Sequence, residues 1–470
     1  MGPVALLGHE KMTLSPLVYY FVSFLSLWII GPLKTIWGET NFPPLLPHLR
    51  LVIIFIYLNL AAAYLALGKR RTVPGIDRRP ERFLWLLGIT AFLFCFMAPV
   101  FSGDIREYLM KGRILSVYHA SPYLHIPQEF SSDLVYPLVA WRRTLEVYGP
   151  LAVILEAIPP LIFPNSVEGM IFCYKLFTGA FLILAVLFFY KIVLKLKGEE
   201  PENSFRLFAL NPLFLVATLV DGHNEVMLLA LAVMAVYFLL EKQYTRCFIF
   251  WTLAFLIKYS VILILPFLFL LAVKQKRTSG LRWGGIIRLV LGQVILIAAL
   301  VLLAYWPLAQ GANIFQILYS RTTDWFYSNT FPYLLREGLS RLHFEVSKPM
   351  MQTAFTAVFG AWVVFLFFRY AIRKGTDLRL FFRSMALIYL GGTFYTTSPI
   401  EAWHLLWALP WLILSEWPLS PWLVTLYSFA GLFAFSKRIN FLLILAATLY
   451  LLGLWVVSSR SRHQVIPKTL

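Results

Sequence analysis

Asp104 is a carboxylate at the end of a long apolar segment, a position at which it could accept a proton from a substrate. Asp104 follows the apolar segment 83–101 directly and opens a polar loop. A carboxylate at the mouth of a membrane span loses part of its hydration, and an ionisable group kept there usually has a task. A positioned carboxylate can take the proton of an attacking hydroxyl. The sequence therefore predicts that Asp104 is a catalytic base, and the alternative is that it only caps the following helix.

The residues after Asp104 have the spacing of one helix face. Asp104, Glu107, Tyr108 and Lys111 share this face, and apolar residues flank it. This pattern predicts an amphipathic helix that lies along the outer membrane surface. Glu107 could contact a ligand there, or it could be a solvated or Arg-paired face residue.

The composition indicates the class of protein that must position these groups. The 470 residues are 60% hydrophobic and only 14% charged, with a mean hydropathy of +0.74. Soluble domains carry about 25% charged residues. We therefore expect an all-α polytopic membrane protein that forms a single integral domain over residues 1–470.

Apolar segments of about 17 to 25 residues can cross a bilayer. By this criterion we expect about twelve crossings, at 14–33, 51–67, 83–101, 170–194, 207–220, 226–240, 289–306, 354–368, a segment ending at 395, 405–414, 422–435 and 441–457. Segments 149–163, with its two prolines, and 247–272 fit a simple crossing less well. Both are predicted to be re-entrant or broken helices, which need protein or water around the freed backbone groups.

The distribution of Lys and Arg predicts the orientation. Basic residues gather in short loops that should stay in the cytoplasm, which leaves loops 102–149 and 308–347 outside. A multi-pass protein of the cell membrane with its site on the extracytoplasmic face is therefore expected. The same rule accounts for the net charge of +18, so membrane lipids are expected partners and nucleic acid is not.

The sequence offers no recognisable metal site. The three cysteines lie in apolar segments without pairable spacing, and no two histidines have ligand spacing. We expect neither a metal nor a cofactor.

Several motifs at membrane boundaries resemble those of a known family. They are Ser-Gly-Asp-Ile-Arg-Glu-Tyr at 102–108, Ser-Pro-Tyr at 121–123, Tyr-Gly-Pro at 148–150, Asn-Pro at 211–212, Asp-Gly-His-Asn-Glu at 221–225, Ile-Lys-Tyr at 257–259 and Ala-Trp-His-Leu-Leu-Trp at 402–407. In this order they resemble GT-C class glycosyltransferases that use polyprenyl-phosphate sugars. The likeness is greatest to the bacterial and archaeal polyprenol-phosphate-mannose-dependent mannosyltransferases.

The resemblance implies a function for Asp104. Asp104 matches the first-loop acidic residue that acts as general base in this class. One carboxylate suits a single displacement with inversion. The resemblance thus implies an inverting glycosyltransferase, a mannosyltransferase, that moves a sugar from a polyprenyl-phosphate donor to an extracytoplasmic glycan or lipid acceptor. A lipid-linked sugar flippase or transporter is the alternative, because broken helices and cavity charges also occur in transporters.

A departing phosphate needs positive charge or hydrogen-bond donors. The predicted phosphate-binding residues are Arg106, Arg113, Lys258 and Arg321. Lys258 lies within an apolar segment, where an ammonium is costly unless it is paired or hydrated. It could instead snorkel to the inner surface or pair with a carbonyl.

Other polar residues of the motifs and loops are predicted to contact sugar or acceptor. They are Glu107, Tyr148, His223, Asn224, Glu225, Asp324 and His404. Residues 223–225 join two apolar segments too short to carry the joint fully into water. A satisfied interhelical hydrogen bond is the alternative there. For the aromatic stretch 321–329 the alternative is an interfacial belt.

Overall fold

Helices make up the ordered elements of the described chain. The computed structural model describes residues 16–30, 47–69, 80–197, 202–310, 330–395, 401–416 and 424, and within these ranges no residue is in a strand. Its first α-helices are α1 (Pro16–Leu25), α2 (Pro47–Lys69), α3 (Pro80–Cys95), α4 (Asp104–Ser116), α5 (Pro150–Ile162), α6 (Val167–Lys197), α7 (Glu202–Ala209) and α8 (Pro212–Leu215). Then follow α9 (Glu225–Leu240), α10 (Tyr244–Ile257), α11 (Leu265–Thr278), α12 (Trp283–Ala309), α13 (Phe331–Arg341), α14 (Lys348–Ala371), α15 (Leu378–Tyr395) and α16 (Leu409–Leu414). The all-α prediction is confirmed for these ranges.

Five helical stretches of the described chain are long and apolar enough to cross a membrane. They are Val167–Lys197, Asn203–Val220, Tyr259–Thr278, Trp283–Ala309 and Lys348–Ala371. All but Tyr259–Thr278 contain a crossing predicted from the sequence, so the membrane character is confirmed. The total of about twelve crossings stays a prediction. The predicted crossings at 422–435 and 441–457 lie outside the described residues, apart from residue 424.

Helix α9 forms the centre of the bundle. Its sequence is apolar on every face, which is typical of a helix surrounded by other helices. Fourteen of its sixteen residues are buried, and it packs against α6 and α10. The polar residue that opens α9, Glu225, is therefore carried into the protein interior at the end of a buried helix.

The sequence predicted that α4 exposes a polar face, and its burial contradicts this, whereas its position relative to the membrane stays a prediction. Helix α4 packs against α5, and eight of its thirteen residues are buried, including Lys111. The cause is a close backbone contact: a Cβ atom on Gly112 would lie 1.9 Å from the carbonyl oxygen of Glu156. Only glycine lets the two helices approach this closely.

Segment 247–272 is broken, as predicted. Helix α10 ends at Ile257, Lys258 has an extended backbone with φ −152° and ψ 132°, and a 3-10 turn over Tyr259–Ile264 leads into α11. The carbonyl oxygen of Ile257 accepts a hydrogen bond from the N–H of Gly149 at 3.0 Å. Partners of this kind make the break tolerable inside an apolar bundle. The part of the segment after the break, within Tyr259–Thr278, is nevertheless long and apolar enough to cross a membrane.

Segment 149–163 is not broken at its prolines. Helix α5 continues through Pro159 and Pro160 to Ile162. Both prolines lie in its last turn, where each removes only the N–H that would bond to the carbonyl oxygen four residues earlier. The break predicted there is wrong, whereas a re-entrant course of α5 stays a prediction.

The contact at Gly112 gives a test of the packing between α4 and α5. We expect Gly112→Ala to lower the free energy of unfolding by about 1–3 kcal/mol, because the added methyl group overpacks a backbone contact. Gly292→Ala, in α12, is the control, since a Cβ there meets nothing within 4 Å. Thermal unfolding in detergent compares both variants with the wild type. Equal midpoints for the three proteins would contradict the close contact.

Candidate active site

Asp104 is the first residue of α4, and its side chain is 24% exposed. The residue before it, Gly103, is the N-cap, and the hydroxyl of Ser102 accepts the backbone N–H of Asp104 at 3.2 Å. Within the described ranges no backbone amide donates to the Asp104 carboxylate. The structure therefore does not support the capping alternative for Asp104.

The joint between α8 and α9 carries His223 to this carboxylate. The Nδ1 atom of His223 lies 3.6 Å from Asp104 Oδ2 and 3.9 Å from Glu225 Oε2. The His223 side chain is 1% exposed, and neither ring nitrogen has a hydrogen-bond partner among the described residues. Trp403 stacks on the imidazole with 3.8 Å between ring centroids and 27° between planes. Trp403 therefore holds the His223 ring in place, and neither ring nitrogen is used in a hydrogen bond to another described residue.

The break after α10 brings Lys258 to the opposite side of Glu225. The ammonium of Lys258 forms an ion pair with Glu225 Oε1. It also lies 4.7 Å from the ring centroid of Tyr148 and 5.3 Å from that of Trp407. Glu225 is 1% exposed and Lys258 13%, so pairing with each other is what allows both charges in this interior.

His404 faces the same cluster as a neutral ring. The backbone N–H of Glu401 donates to His404 Nδ1 at 3.3 Å, which places the ring proton on Nε2. Burial, with Lys258 nearby, lowers the pKa of His404 to about 3. His404 can therefore donate from Nε2 to an oxygen at every physiological pH without carrying charge.

Burial also changes the proton affinity of Asp104. It raises the pKa of Asp104 from 3.8 to about 6; the charges of His223 and Lys258 oppose the rise, and those of Glu225 and Glu401 add to it. The pKa of His223 is lowered by burial. A carboxylate with a pKa near 6 is ionised at neutral pH and still basic enough to accept a proton.

Two polar groups of the cluster have no partner yet. Both amide atoms of Asn224 are buried without a hydrogen-bond partner among the described residues, and so is Glu225 Oε2. Buried polar atoms normally have partners. Asn224 and Glu225 are 0% and 1% exposed, so a ligand could reach these atoms only if the surrounding side chains moved.

Two predicted residues contact the loop between α4 and α5, or the turn after α5, instead of joining the cluster. Arg113 pairs with Asp133, 2.6 Å from its Nε to Oδ2, and donates to the carbonyl of Pro164 at 2.6 Å. Glu107 Oε1 accepts the backbone amides of Ala140 and Trp141 at 2.6 and 3.0 Å. The structure places both side chains in contacts that order the loop, because α4 is buried rather than exposed.

The remaining predicted residues are only partly located. Arg106 is half-buried in the first turn of α4 and lies near the charge of Asp221. Arg321 and Asp324 lie outside the described residues. No group of three or more His, Cys, Asp or Glu side chains in the described ranges is arranged to hold a metal ion.

Trp403, Glu401 and Asp221 were not predicted as site residues. Trp403 and Asp221 belong to motifs that carried the resemblance, yet their types alone assigned them no chemistry. Asp221 had one usable signal, a carboxylate between two apolar segments. Trp403 had none, since an aromatic residue at a helix end is ordinary at a membrane interface.

The fold and cluster define a helical membrane protein with a carboxylate, an imidazole and an ammonium gathered where helices begin or break. A family profile described as "Alpha-(1->6)-mannopyranosyltransferase, N-terminal domain" matches residues 30–274. This is more than half of the chain, and the chain belongs to this family. The matched region contains Asp104, His223, Glu225 and Lys258. The resemblance inferred from the motifs is confirmed at this level.

Individual relatives are similar over shorter stretches. Alpha-(1->6)-mannopyranosyltransferase A of Mycobacterium tuberculosis is 26% identical over 214 residues, which cover 44% of this chain and 39% of that protein. Alpha-(1->6)-mannopyranosyltransferase B of Corynebacterium glutamicum is 26% identical over 136 residues, which cover 28% and 22% respectively. The similarity thus spans less than half the length of these relatives. No solved structure matches the chain significantly.

The ion pair between Lys258 and Glu225 gives a stability test. Lys258→Met leaves Glu225 buried without its partner, and we expect a loss of about 3–5 kcal/mol in the free energy of unfolding. The double variant Lys258→Met/Glu225→Gln should recover most of this loss. Chemical denaturation in detergent measures both.

A surface pair is the control for this test. Lys195 lies 2.9 Å from Glu241, with side chains 40% and 30% exposed. Lys195→Met should cost no more than about 1 kcal/mol, because solvent screens exposed pairs. A Lys258→Met variant no less stable than Lys195→Met would show that the buried pair contributes nothing.

Proposed function

We propose that the chain is an inverting mannosyltransferase in which Asp104 is the general base, the donor is a polyprenyl-phosphate mannose, and the acceptor is a glycan or glycolipid on the extracytoplasmic side. The observation that carries this proposal is the partly exposed Asp104 carboxylate against the buried His223–Glu225–Lys258 cluster, within the region that matches the family. The names of the relatives supply mannose as the sugar.

The exposure of the two carboxylates supports inversion. Glu225 is 1% exposed and paired with Lys258, whereas Asp104 is 24% exposed. Of these two carboxylates, only Asp104 is therefore accessible to a substrate. A retaining mechanism needs a second carboxylate as nucleophile, and Glu225 is engaged elsewhere.

The reaction is a single displacement at the anomeric carbon. The acceptor hydroxyl oxygen attacks this carbon as its proton passes to an Asp104 oxygen, and the bond from the carbon to the phosphate oxygen breaks. The leaving group is the polyprenyl phosphate, whose phosphate oxygen takes the bonding electron pair. It is a good leaving group, so no general acid is required.

The cations and neutral donors have separate roles in this proposal. Lys258, although paired with Glu225, keeps N–H groups that can donate to the departing phosphate, and Arg106, two residues after Asp104, is proposed as a second cation for this role. Arg321 is proposed for the same role from the sequence alone. His404 Nε2–H and Tyr148 are suited to the sugar hydroxyl groups, whereas the fully buried Asn224 amide could reach them only if its surroundings moved.

The first test removes the proposed base. Purified protein in detergent receives labelled polyprenyl-phosphate mannose and glycan acceptors. We expect Asp104→Asn to lower the rate of transfer by about 100-fold or more while donor binding persists. Asp133→Asn is the matched control, because Asp133 is a buried carboxylate that orders the loop through Arg113.

Three outcomes would contradict the proposal in different ways. Transfer by Asp104→Asn at the wild-type rate would exclude Asp104 as the base. Movement of the donor across liposomes without transfer would favour the transporter. Retention of configuration in the product would exclude a single displacement.

The raised pKa of Asp104 predicts the pH dependence. The carboxylate must be unprotonated to accept a proton, so kcat/KM should be full above its pKa and fall as the pH is lowered through about 6. An ordinary aspartate would place this fall near 3.8. Rates measured over about pH 4.5 to 8 distinguish the two values. A flat profile down to the lower limit would contradict the burial of Asp104.

A further inference from the structure

The chain between α3 and Asp104 depends on side chains for its backbone hydrogen bonds. Residues 98–103 are in neither helix nor strand, so their amides need other partners. The amides of Val100, Phe101 and Ser102 all donate to one oxygen, Oδ1 of Asp221, at 3.1, 2.8 and 3.3 Å. Asp221 is 4% exposed. One buried carboxylate thus binds three consecutive amides directly before Asp104.

A buried cation serves the carbonyl groups just upstream. Lys175, on α6 and 2% exposed, donates from Nζ to the carbonyl oxygens of Phe94 and Met97 at 3.2 and 2.6 Å. Hydrogen bonds to charged groups are about twice as strong as neutral ones. Lys175 and Asp221 together hold the segment from the end of α3 to Ser102 by charge-assisted bonds.

Gly222 lets the backbone after Asp221 lie against α4. Its φ is +71°, and a Cβ atom there would lie 3.0 Å from the Cδ1 atom of Ile105. A side chain would be strained by this φ and would press on the residue that follows Asp104. The segment that carries His223 is therefore packed against the segment that carries Asp104.

We propose that Asp221 is a positioning residue that sets the Asp104 carboxylate against His223. Asp221 stands two residues before His223, and the last amide that it binds, Ser102, stands two residues before Asp104. The Asp221 carboxylate therefore joins the segment that carries Asp104 to the segment that carries His223. On each segment the joined residue lies two positions before the functional side chain. This inference rests on the proposed function for its catalytic meaning, but the geometry that it concerns can be measured without catalysis.

The position of Asp104 can be followed through its titration. The charged and titratable groups that face it are His223, Glu225, Glu401, Lys258, Tyr108 and Tyr148. Release of segment 100–102 would let Asp104 move away from these groups and into water. Its titration would then approach that of an ordinary aspartate.

The experiment labels Asp104 with a water-soluble carbodiimide and an amine, a reaction that starts from the protonated carboxyl group. Peptide mass spectrometry of the intact, detergent-purified protein then gives the labelled fraction at each pH. In the wild type the labelling of Asp104 should fall with a midpoint near 6. In Asp221→Ala the midpoint should move at least halfway towards 3.8. In Asp133→Ala it should stay at the wild-type value.

Transfer assays then test the catalytic consequence. We expect Asp221→Ala to lower kcat by about tenfold or more with little change in KM for the donor, since misplaced reacting groups slow the chemical step. Asp221→Asn keeps an oxygen that can accept the three amides but loses the charge that strengthens these bonds, so its midpoint should lie between that of the wild type and that of Asp221→Ala. It also serves as the test variant if Asp221→Ala does not fold.

The results distinguish a positioning role of Asp221 from a general effect on stability, and they test this role apart from the proposed function. An Asp104 midpoint in Asp221→Ala and Asp221→Asn equal to that in Asp133→Ala would overturn the positioning role. A shifted midpoint in a protein without any transferase activity would support the positioning role and reject the proposed function. A loss of kcat in Asp221→Ala with an unchanged midpoint would assign Asp221 a merely structural role.

Discussion

The site depends on keeping ionised side chains in an interior that offers little water. A lone charge there is costly, and a pair is tolerated only when its geometry is good and its other polar atoms are satisfied. Lys258 and Glu225 meet this condition by pairing, and Lys175 and Asp221 meet it through backbone groups. Asp104 is the exception, because it remains partly open to solvent and, in the part of the chain that the structure describes, only the imidazole of His223 lies within ion-pair distance of it. That difference distinguishes the proposed reactive carboxylate from the structural ones.

Close backbone contacts place these charges. The amide of Gly149 donates to the carbonyl of Ile257, and a Cβ atom on Gly149 would lie 2.2 Å from the carbonyl oxygen of Leu256. The neighbouring carbonyl of Tyr148 accepts hydrogen bonds from the hydroxyls of Tyr123 and Tyr259 at 2.8 and 2.9 Å. The start of α5 is thus joined to the broken end of α10, and this joint brings the ring of Tyr148 to the ammonium of Lys258.

Sequence patterns predicted much of the fold and part of the site. Apolar length predicted the long helices, and a lysine inside an apolar segment coincided with the helix break. Helical spacing predicted α4 correctly but predicted an exposed polar face that the structure largely buries. The pattern of polar residues on its face did not reveal that Gly112 admits α5 so closely. For the same reason Arg113 and Glu107, expected to bind a ligand, serve the loop instead.

The sequence by itself determined that this is a helical membrane protein and that Asp104, Lys258 and the 223–225 joint are exceptional, because polar groups in apolar surroundings are visible in one dimension. Only the tertiary structure decided which of them meet. Asp104 and His223 are more than a hundred residues apart in the chain, and their 3.6 Å approach is produced by helix packing. The pairing of Lys258 with Glu225 and the bonds of Asp221 arise in the same way. Partners across such distances depend on packing between helices, which local periodicity does not encode.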